Sequence, residues 1–331
     1  MPTYPVGSLK SMRRPFSWTA HVHGQAGMGG RGLGRKLSHA TPVAPAILPN
    51  IILAAQMIPG QAGGADYEAR IRRAENLRSR HPAAAEFLTF YEQVASFQKR
   101  LRANISAVEV KPDSGLPAEL RAKLDLMVLL PHFRGYLSAV EKHAPRALAE
   151  SARQFGLLPS ESWIASLQAY WQCAGRYDQQ VGAFAQFLPR AFLEPYAEFR
   201  AALVPRAPLA VTTRRCPHCG SRPLVGVLRP EGDGGKRFLL CSFCLQEWEF
   251  RRILCPTCGE EAEDKLPVFI AEDFPHVRVE ACDTCKFYLR TIDLTKDGNA
   301  VPIVDDLAAL PHTLWADEQG YSRVQPNLLG T

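Results

Sequence analysis

Apolar residues recur at helical spacing through the first half of the chain, from Asp66 to about Val204. The clearest stripe follows His81-Pro82, where large apolar side chains are three or four residues apart: Phe87, Phe90, Tyr91, Val94 and Phe97. This spacing places the side chains on one face of an α-helix, and such a face is usually buried in a core. We therefore predict an all-helical domain of about six to eight helices over residues 66–204.

Polar residues and prolines indicate where these helices begin and end. Asp66 and Ser160 precede periodic apolar segments and suit N-terminal caps, and Pro117 suits a first helical position. Further prolines are predicted to separate one helical segment from the next: Pro131, Pro145, Pro159 and Pro189.

The pattern changes to short β runs after residue 208. The segment from Pro205 to Pro208 is predicted to be a linker, and the runs PLVGVL, RFLLC, PVFIA and VRVEA follow it. The glycine-rich stretch at residues 231–235 is predicted to be a hairpin turn. Beyond residue 293 we expect a strand, a turn at Asp297-Gly298-Asn299 and one helix.

The first 65 residues show neither pattern. Their prolines and glycines interrupt any helix, and residues 1–60 carry six basic residues and no acidic one. This stretch accounts for the formal net charge of +6, since basic and acidic residues balance in the rest of the chain. We predict a disordered N-terminal tail over residues 1–65, or an upstream extension of a protein that begins near Met57.

Eight of the nine cysteines form four Cys-x-x-Cys pairs. The pairs are Cys216/Cys219, Cys241/Cys244, Cys255/Cys258 and Cys282/Cys285. Two intervening residues let one tight turn direct both sulfurs at one metal ion, and two such turns complete a tetrahedral four-thiolate shell. The eight cysteines are therefore candidate ligands for two metal ions per chain, either iron or zinc.

The cysteine stretch also repeats itself, because CPHCG followed by CSFC is echoed by CPTCG followed by CDTC. We predict two tandem four-cysteine ribbons of the rubredoxin or zinc-ribbon type, over residues 205–253 and 254–293, and a C-terminal extension over residues 294–331. Pairing within each repeat makes each ribbon self-contained; cross-braced pairing between the repeats is the alternative. A disulfide framework is disfavoured, since it needs an oxidising compartment.

Several single residues have a structural interpretation. Gly220 and Gly259 follow a second thiolate and suit the left-handed backbone of the turn. Trp248, Phe250 and Tyr288 are expected to cover the small cores of the ribbons. Cys173, the ninth cysteine, stands alone in an apolar helix and is expected to be a buried apolar residue.

The chemistry of a closed four-thiolate site argues against catalysis, because no coordination position remains for water or substrate. No triad order, phosphate-binding loop or deaminase pattern is found, so we predict that the chain is not an enzyme. Nucleic-acid binding is also disfavoured: residues 214–293 hold twelve Lys or Arg against thirteen Asp or Glu. A rubredoxin-like electron carrier is the other alternative. No apolar run is long enough to span a membrane.

The motifs resemble the formate dehydrogenase accessory protein family FdhE. The resemblance lies in CPHCGSRP, RFLLCSFCLQEWEFRRILCPTCG, CDTCKFYLRTIDL, VPIVDDLAALPHTLWADEQGY and PNLLG, and in the helical segments YEARIRRAENLRSRHPAAAEFLTFY and EPYAEFRAAL. It covers about residues 66–330. The first sixty residues have no counterpart, and Pro311-His312-Thr313 departs from the regular helix expected there.

The resemblance implies a cytoplasmic maturation factor with rubredoxin-like modules behind a helical domain. It implies that the partner is the catalytic subunit of a molybdenum- or tungsten-dependent formate dehydrogenase, which needs the factor for activity. It also implies that the eight paired cysteines are the metal ligands.

Overall fold

The helical prediction is confirmed in the described part of residues 66–204. The structure, a computed structural model, describes residues 18–21, 66–107, 117–173, 183–204, 210–232 and 234–331. Seven α-helices lie in the described part of the predicted helical domain: α1 (Tyr67–Arg80), α2 (Ala85–Ser106), α3 (Pro117–Ala122), α4 (Leu126–His143), α5 (Arg146–Gly156), α6 (Ser160–Gln172) and α7 (Ala183–Ala202).

The helix ends follow the sequence signals in part. Asp66 caps α1, because its Oδ1 accepts a hydrogen bond from the Ala69 amide at 2.9 Å. Pro145 and Pro159 lie at the N-caps of α5 and α6; Ser160, which was expected to cap α6, is instead its first helical residue, and α6 has no side-chain cap hydrogen bond.

Two prolines that were predicted to separate helices lie inside them instead. Pro131 is within α4 and Pro189 is within α7, so that part of the prediction is wrong. Each proline removes one backbone hydrogen bond. Packing between the two helices offsets this cost: Phe133 of α4 meets Phe192 of α7 edge-on at 4.7 Å between ring centroids, and both rings are fully buried.

The strands form one mixed sheet. They are β1 (Trp18–His21), β2 (Pro223–Glu231), β3 (Gly234–Cys241), β4 (Glu247–Glu249), β5 (Val268–Ala271), β6 (Val277–Ala281), β7 (Phe287–Asp293) and β8 (Ser322–Arg323). The order across the sheet is β1-β5-β6-β7-β2-β3-β4, and β8 pairs with β7. The first ribbon supplies β2, β3 and β4, and the second supplies β5, β6 and β7.

The two ribbons are fused, which the prediction of self-contained ribbons did not anticipate. Strand β2 runs parallel to β7, with Gly226 opposite Thr291 and Leu228 opposite Asp293. A Cβ at Gly226 would collide with the Thr291 side chain. Glycine is therefore needed where the two ribbons join, and the repeated sequence forms one continuous sheet.

Four residues of the predicted tail also belong to the sheet. Strand β1 pairs antiparallel with β5, with Trp18 opposite Ala271 and His21 opposite Val268. At these four residues the tail prediction does not hold, because β5 offers an edge whose backbone groups another strand can satisfy. The rest of residues 1–65 lies outside the described residues, as does the linker predicted at residues 205–208.

The C-terminal extension contains two helices where one was predicted. Helix α8 covers Pro302–Ala308 and helix α9 covers Leu310–Glu318. Ala309 leaves helical geometry with φ of −83° and ψ of 37°, and Pro311 lies in the first turn of α9. A proline is tolerated there because its missing N–H would have no partner in the helix. The departure at Pro311-His312-Thr313 therefore marks the start of a second helix.

Helix α8 carries two adjacent buried carboxylates with different partners. Asp305 pairs with Arg73 of α1 at 2.5 Å and contacts Nε2 of His276 at 2.7 Å. Asp306 pairs with Arg290 of β7 at 2.8 Å and with Arg323 of β8 at 2.6 Å.

These pairs lie away from water. Both aspartates are 0–1% exposed, and burial raises the pKa of Asp306 to about 6 although Arg290 acts to lower it. Helix α8 thus joins the first helix to the second ribbon and the C-terminal segment.

The apolar core is continuous between the helices and the sheet. One cluster of buried side chains includes Leu88 and Phe192 of the helices, Val227 of β2, and Leu307 of α8. A smaller cluster covers the second ribbon beneath α9, with Tyr288 and Tyr321 among its members. The described helices and strands thus belong to one compact unit, and the predicted domain limits remain predictions.

We expect Asp306→Asn to lower the free energy of unfolding by about 3–5 kcal/mol, because it leaves the buried guanidiniums of Arg290 and Arg323 without a carboxylate. Urea denaturation at pH 8 measures the change. Glu150→Gln is the matched control: its pair with Arg153 is about half exposed, and such surface pairs contribute about 0–1 kcal/mol. Equal stability of the two variants would contradict the assigned role of Asp306.

Candidate metal centres

All four Cys-x-x-Cys turns have the same backbone geometry. The residue after the second cysteine lies in the left-handed region each time, with φ of 74° at Gly220, 53° at Leu245, 87° at Gly259 and 58° at Lys286. The sequence predicted this conformation at the two glycines, and the structure confirms it. It did not predict the left-handed conformation at Leu245 and Lys286, because residues with a side chain rarely adopt it.

A shared hydrogen bond closes each turn. The amide of the first cysteine donates to the carbonyl five residues later: Cys216 to Ser221 at 2.9 Å, Cys241 to Gln246 at 3.0 Å, Cys255 to Glu260 at 2.9 Å and Cys282 to Phe287 at 3.0 Å. The repeated bond fixes the angle between the incoming and outgoing chain, so both sulfurs of each turn lie on the same side.

The turns meet in pairs and bring the sulfurs into two groups of four. We name Cys216, Cys219, Cys241 and Cys244 the inner cluster, and Cys255, Cys258, Cys282 and Cys285 the outer cluster; within each, the sulfurs lie within 4.8 Å of one another. This is the grouping within each repeat, and the cross-braced alternative is not seen.

The spacing of the sulfurs suits a tetrahedral metal site. The pairs Cys216/Cys244 and Cys219/Cys241 are 3.4 Å apart, and Cys255/Cys285 and Cys258/Cys282 are 3.7 Å apart, measured between Sγ atoms. A tetrahedron with metal–sulfur bonds of about 2.3 Å has sulfurs about 3.8 Å apart, whereas a disulfide bond is about 2.05 Å long. All nine cysteines are free thiols. The two clusters could therefore hold two metal ions.

The clusters differ in exposure. All four cysteines of the inner cluster are buried, whereas in the outer cluster Cys258 is exposed and Cys285 is half-buried. A metal in the outer cluster would therefore be closer to solvent than one in the inner cluster.

The inner cluster is anchored in the helical layer through Phe243, which lies between Cys241 and Cys244. The Phe243 ring is fully buried and packs against Trp171 of α6, with centroids 5.5 Å apart and planes at 72°. Arg190 of α7 donates to the Ser242 carbonyl in the same turn at 3.1 Å. Two helices thus hold the turn that supplies half of the inner cluster.

Arg121 of α3 brings positive charge to the inner cluster. Its guanidinium donates to the Cys219 carbonyl at 3.0 Å and to the Ser221 hydroxyl at 2.8 Å, and it lies over the Phe243 ring at 4.7 Å. The Ser221 hydroxyl is in turn 3.2 Å from Sγ of Cys219. Such outer contacts orient ligands and offset their charge. Sequence reasoning missed this role, because Arg121 is ninety-eight positions away from Cys219.

The charge state of the inner thiols reflects these contacts. Burial raises the pKa of Cys216 and of Cys244 well above the usual value. Burial also opposes ionisation of Cys219, yet hydrogen bonds from the neighbouring thiols and the charge of Arg121 hold its pKa well below the usual value. Without metal, negative charge therefore favours Cys219, and metal binding must release the protons of Cys216 and Cys244.

The outer cluster is supported by surface contacts. The Thr257 amide donates to Sγ of Cys255 at 3.4 Å, and the Thr284 hydroxyl donates to Oε2 of Glu260 at 2.7 Å, which links the two turns. Burial acts to raise the pKa of Cys255, but amide hydrogen bonds, including that of Thr257, lower it overall.

A third group of possible ligands already has its cation. His276, Asp297 and Asp305 bring ligand atoms within 4.8 Å of one another. The Arg73 guanidinium lies among them and donates to Asp297 at 2.7 Å and to Asp305 at 2.5 Å. This group is an ion-pair network that joins elements of the fold.

A helical layer packed on two fused four-cysteine ribbons defines a metal-binding protein of the zinc-ribbon-like class. Two family models match the ribbons and the C-terminal segment, "FdhE, central domain" over residues 215–252 and "FdhE, C-terminal domain" over residues 253–329. Residues 215–329 of the chain thus match two domains of the FdhE family.

Relatives extend the similarity into the helical layer. A protein FdhE homolog of Aquifex aeolicus is 28% identical over 273 residues, which cover 80% of this chain and 95% of the relative. A homolog of Pseudomonas aeruginosa is 34% identical over 193 residues, which cover 56% of this chain and 62% of the relative.

A solved structure shares the fold. The crystal structure of the FdhE protein from Pseudomonas aeruginosa superposes with a TM-score of 0.58 at 24% identity, and the match covers 80% of this chain and 94% of the other. The predicted architecture, helices followed by two four-cysteine modules, is thereby confirmed.

We expect reduced, freshly purified protein to hold two metal ions per chain, and Cys→Ser at any of the eight clustered positions to lower the content to about one. The remaining three sulfurs leave the tetrahedral shell incomplete. Elemental analysis measures the stoichiometry, and Cys173→Ser, which changes a thiol outside both clusters, should retain two ions. A wild-type chain without bound metal would refute the assignment.

Metal release to a chelator should occur in two phases, with the outer cluster emptied first because Cys258 and Cys285 are accessible to solvent. A chromogenic chelator follows the release. Cys285→Ser should abolish the fast phase and Cys244→Ser the slow phase. If each substitution instead slowed or accelerated both phases equally, the clusters would not be independent sites.

Proposed function

We propose that this protein is a maturation factor for formate dehydrogenase. In this proposal it binds the catalytic subunit of a molybdenum- or tungsten-dependent enzyme, is required for that enzyme's activity, and acts in the cytoplasm. The observation that carries the proposal is the match of the FdhE family models across residues 215–329, which contain both complete cysteine clusters. No helix in the described ranges has the length and apolar character needed to cross a membrane.

The eight clustered cysteines are proposed as the metal ligands, in two sites filled by iron or zinc. A closed four-thiolate site stabilises a fold when it holds zinc and can exchange one electron when it holds iron. The residues around the inner cluster serve the first role: Phe243 and Arg121 connect the site to the helices. Because four thiolates leave no position for a substrate, we propose that the chain acts by binding its partner and has no catalytic activity of its own.

Electron transfer is the second candidate function, and the outer cluster favours it. Electron exchange with a partner needs a centre near the surface, and Cys258 is exposed there. The optical spectrum of anaerobically purified protein separates the candidates, because iron–thiolate sites absorb visible light and zinc–thiolate sites do not. An iron site with a measurable potential would support the electron carrier.

Nucleic-acid binding has less support. Acidic and basic residues nearly balance over the ribbons, and eight metal-bound thiolates would add further negative charge. Affinity for a phosphate backbone depends on the opposite balance. A protein partner is more compatible with this surface.

A deletion strain tests the proposal. Loss of the gene should abolish most formate dehydrogenase activity in cell extracts while the catalytic subunit is still synthesised, and the wild-type gene supplied in trans should restore it. The purified chain alone should not oxidise formate.

A variant series sharpens the test. Cys241→Ser, which alters the inner cluster, should fail to restore activity, whereas Cys173→Ser should restore it fully. Activity that is unchanged in the deletion strain would refute the maturation role.

A further inference from the structure

A cleft of about 480 Å³ lies between the leading turns of the two ribbons. Arg214 and Arg215, just before the first cysteine pair, line one side. Pro256 and Thr257, inside the third cysteine pair, line the other side, and Arg222 and Val324 complete the wall. The cleft therefore adjoins one turn from each metal cluster.

Hydrogen bonds fix the backbone of this cleft. The Trp248 indole donates to the Thr213 carbonyl at 2.7 Å, and the Arg251 amide donates to the Val211 carbonyl at 2.8 Å. Across the cleft, Nη1 of Arg214 donates to the Thr257 carbonyl at 3.0 Å. The cleft is thus formed before any ligand arrives, and a preformed site loses less entropy on binding.

Gly259 lies beside Arg214 at the edge of the cleft. A Cβ placed on Gly259 would lie 3.6 Å from Nη1 of Arg214, and φ at Gly259 is +87°. The distance is an ordinary van der Waals contact, so a residue with a side chain would be strained here by its backbone and not by the guanidinium.

The lining of the cleft carries positive charge. Three of its lining residues are arginines and none is acidic. Elsewhere in the sheet arginines have carboxylate partners, as Arg229 does in Glu247 at 2.8 Å and Arg237 in Glu280 at 2.6 Å. Among the described residues, Arg214 and Arg222 make hydrogen bonds to carbonyl oxygens alone. Since each guanidinium has five N–H donors, most of their donors remain available.

The Thr257 hydroxyl adds a second polar group. It is buried and has no hydrogen-bond partner among the described residues. Buried hydroxyls are normally paired, so an unpaired one in a residue that lines the cleft is compatible with a ligand there.

Guanidiniums that line one cleft suit carboxylates, because each can bind a carboxylate through paired hydrogen bonds. A long polyanion suits the surroundings less well, because the ribbons are close to neutral in charge and metal-bound thiolates make them more negative. A short segment with a few carboxylates would meet the arginines without extending along that surface.

We propose that this cleft binds a short acidic peptide segment of a protein partner, with Arg214 and Arg222 as the carboxylate ligands. The identity of the partner rests on the proposed function; the peptide chemistry does not. Under that function, an acidic segment of the formate dehydrogenase catalytic subunit occupies the cleft, beside both metal clusters.

Fluorescence anisotropy with labelled hexaglutamate tests the chemistry on the full, metal-loaded chain. The wild type should bind hexaglutamate and not hexaglutamine, with an affinity that falls as salt is raised. The double variant Arg214→Gln/Arg222→Gln should bind at least about tenfold more weakly, the usual loss for charge-assisted hydrogen bonds. Arg252→Gln removes one positive charge, as either single cleft variant does, from an exposed site outside the cleft, and it should change affinity less than about twofold.

The metal content of the variants shows whether the arginines recognise the peptide or instead balance the charge of the metal clusters. The variants should retain two metal ions, and each single substitution is measured if the double variant loses metal. Unchanged hexaglutamate affinity in a variant that keeps both ions would overturn the proposal. Loss of metal from both single variants would also overturn it, since the arginines would then serve to balance the clusters. If the chain bound an oligothymidylate more tightly than hexaglutamate, the cleft would be a nucleic-acid site, and the peptide proposal would be overturned.

A pull-down with the purified catalytic subunit distinguishes failure of the cleft proposal from failure of the proposed function. If wild type captures the subunit and the cleft variant does not, both proposals are supported. Equal capture by the two would refute the cleft and leave the proposed function intact. If wild type binds hexaglutamate but not the subunit, the proposed function fails and the cleft stands.

Discussion

The architecture depends on two neighbouring carboxylates that are kept from water. Successive residues on an α-helix point about 100° apart, so Asp305 and Asp306 of α8 face different parts of the molecule. Asp305 meets Arg73 of α1, and Asp306 meets Arg290 of β7. A buried charge without its partner is strongly destabilising. The helices and the sheet are therefore held in one arrangement, because a shift of either would leave a buried charge without its partner.

The sequence predicted what depends on local pattern. The helical stripes, the four cysteine turns and the burial of Trp248, Phe250 and Tyr288 follow from spacing, residue type and turn chemistry, and the structure confirms them. It did not predict contacts between distant segments. Nothing local in Gly226 indicates that Thr291 packs against it, and nothing in Leu245 indicates a left-handed backbone.

Tertiary packing also overrode local signals. Pro189 is a strong helix breaker, yet it remains inside α7, where a fully buried face offsets the lost hydrogen bond.

The difference in exposure between the inner and outer clusters also follows from tertiary packing. The two repeats share their cysteine motifs, but helices pack on Phe243 of the inner cluster, and that cluster is the buried one. One repeat is thus integrated with the helical layer, and the other is available to solvent and partners.

The separation of Arg73 from Asp305 along the chain has a consequence for the order of folding. The two residues are 232 positions apart, so Arg73 leaves the ribosome long before its carboxylate is synthesised. During that interval, the face of α1 that later meets α8 carries a positive charge without its partner. The helices can form early, since their contacts are local. Final docking must wait until the last part of the chain is released, and the apolar surface that later meets the sheet needs protection from aggregation until then.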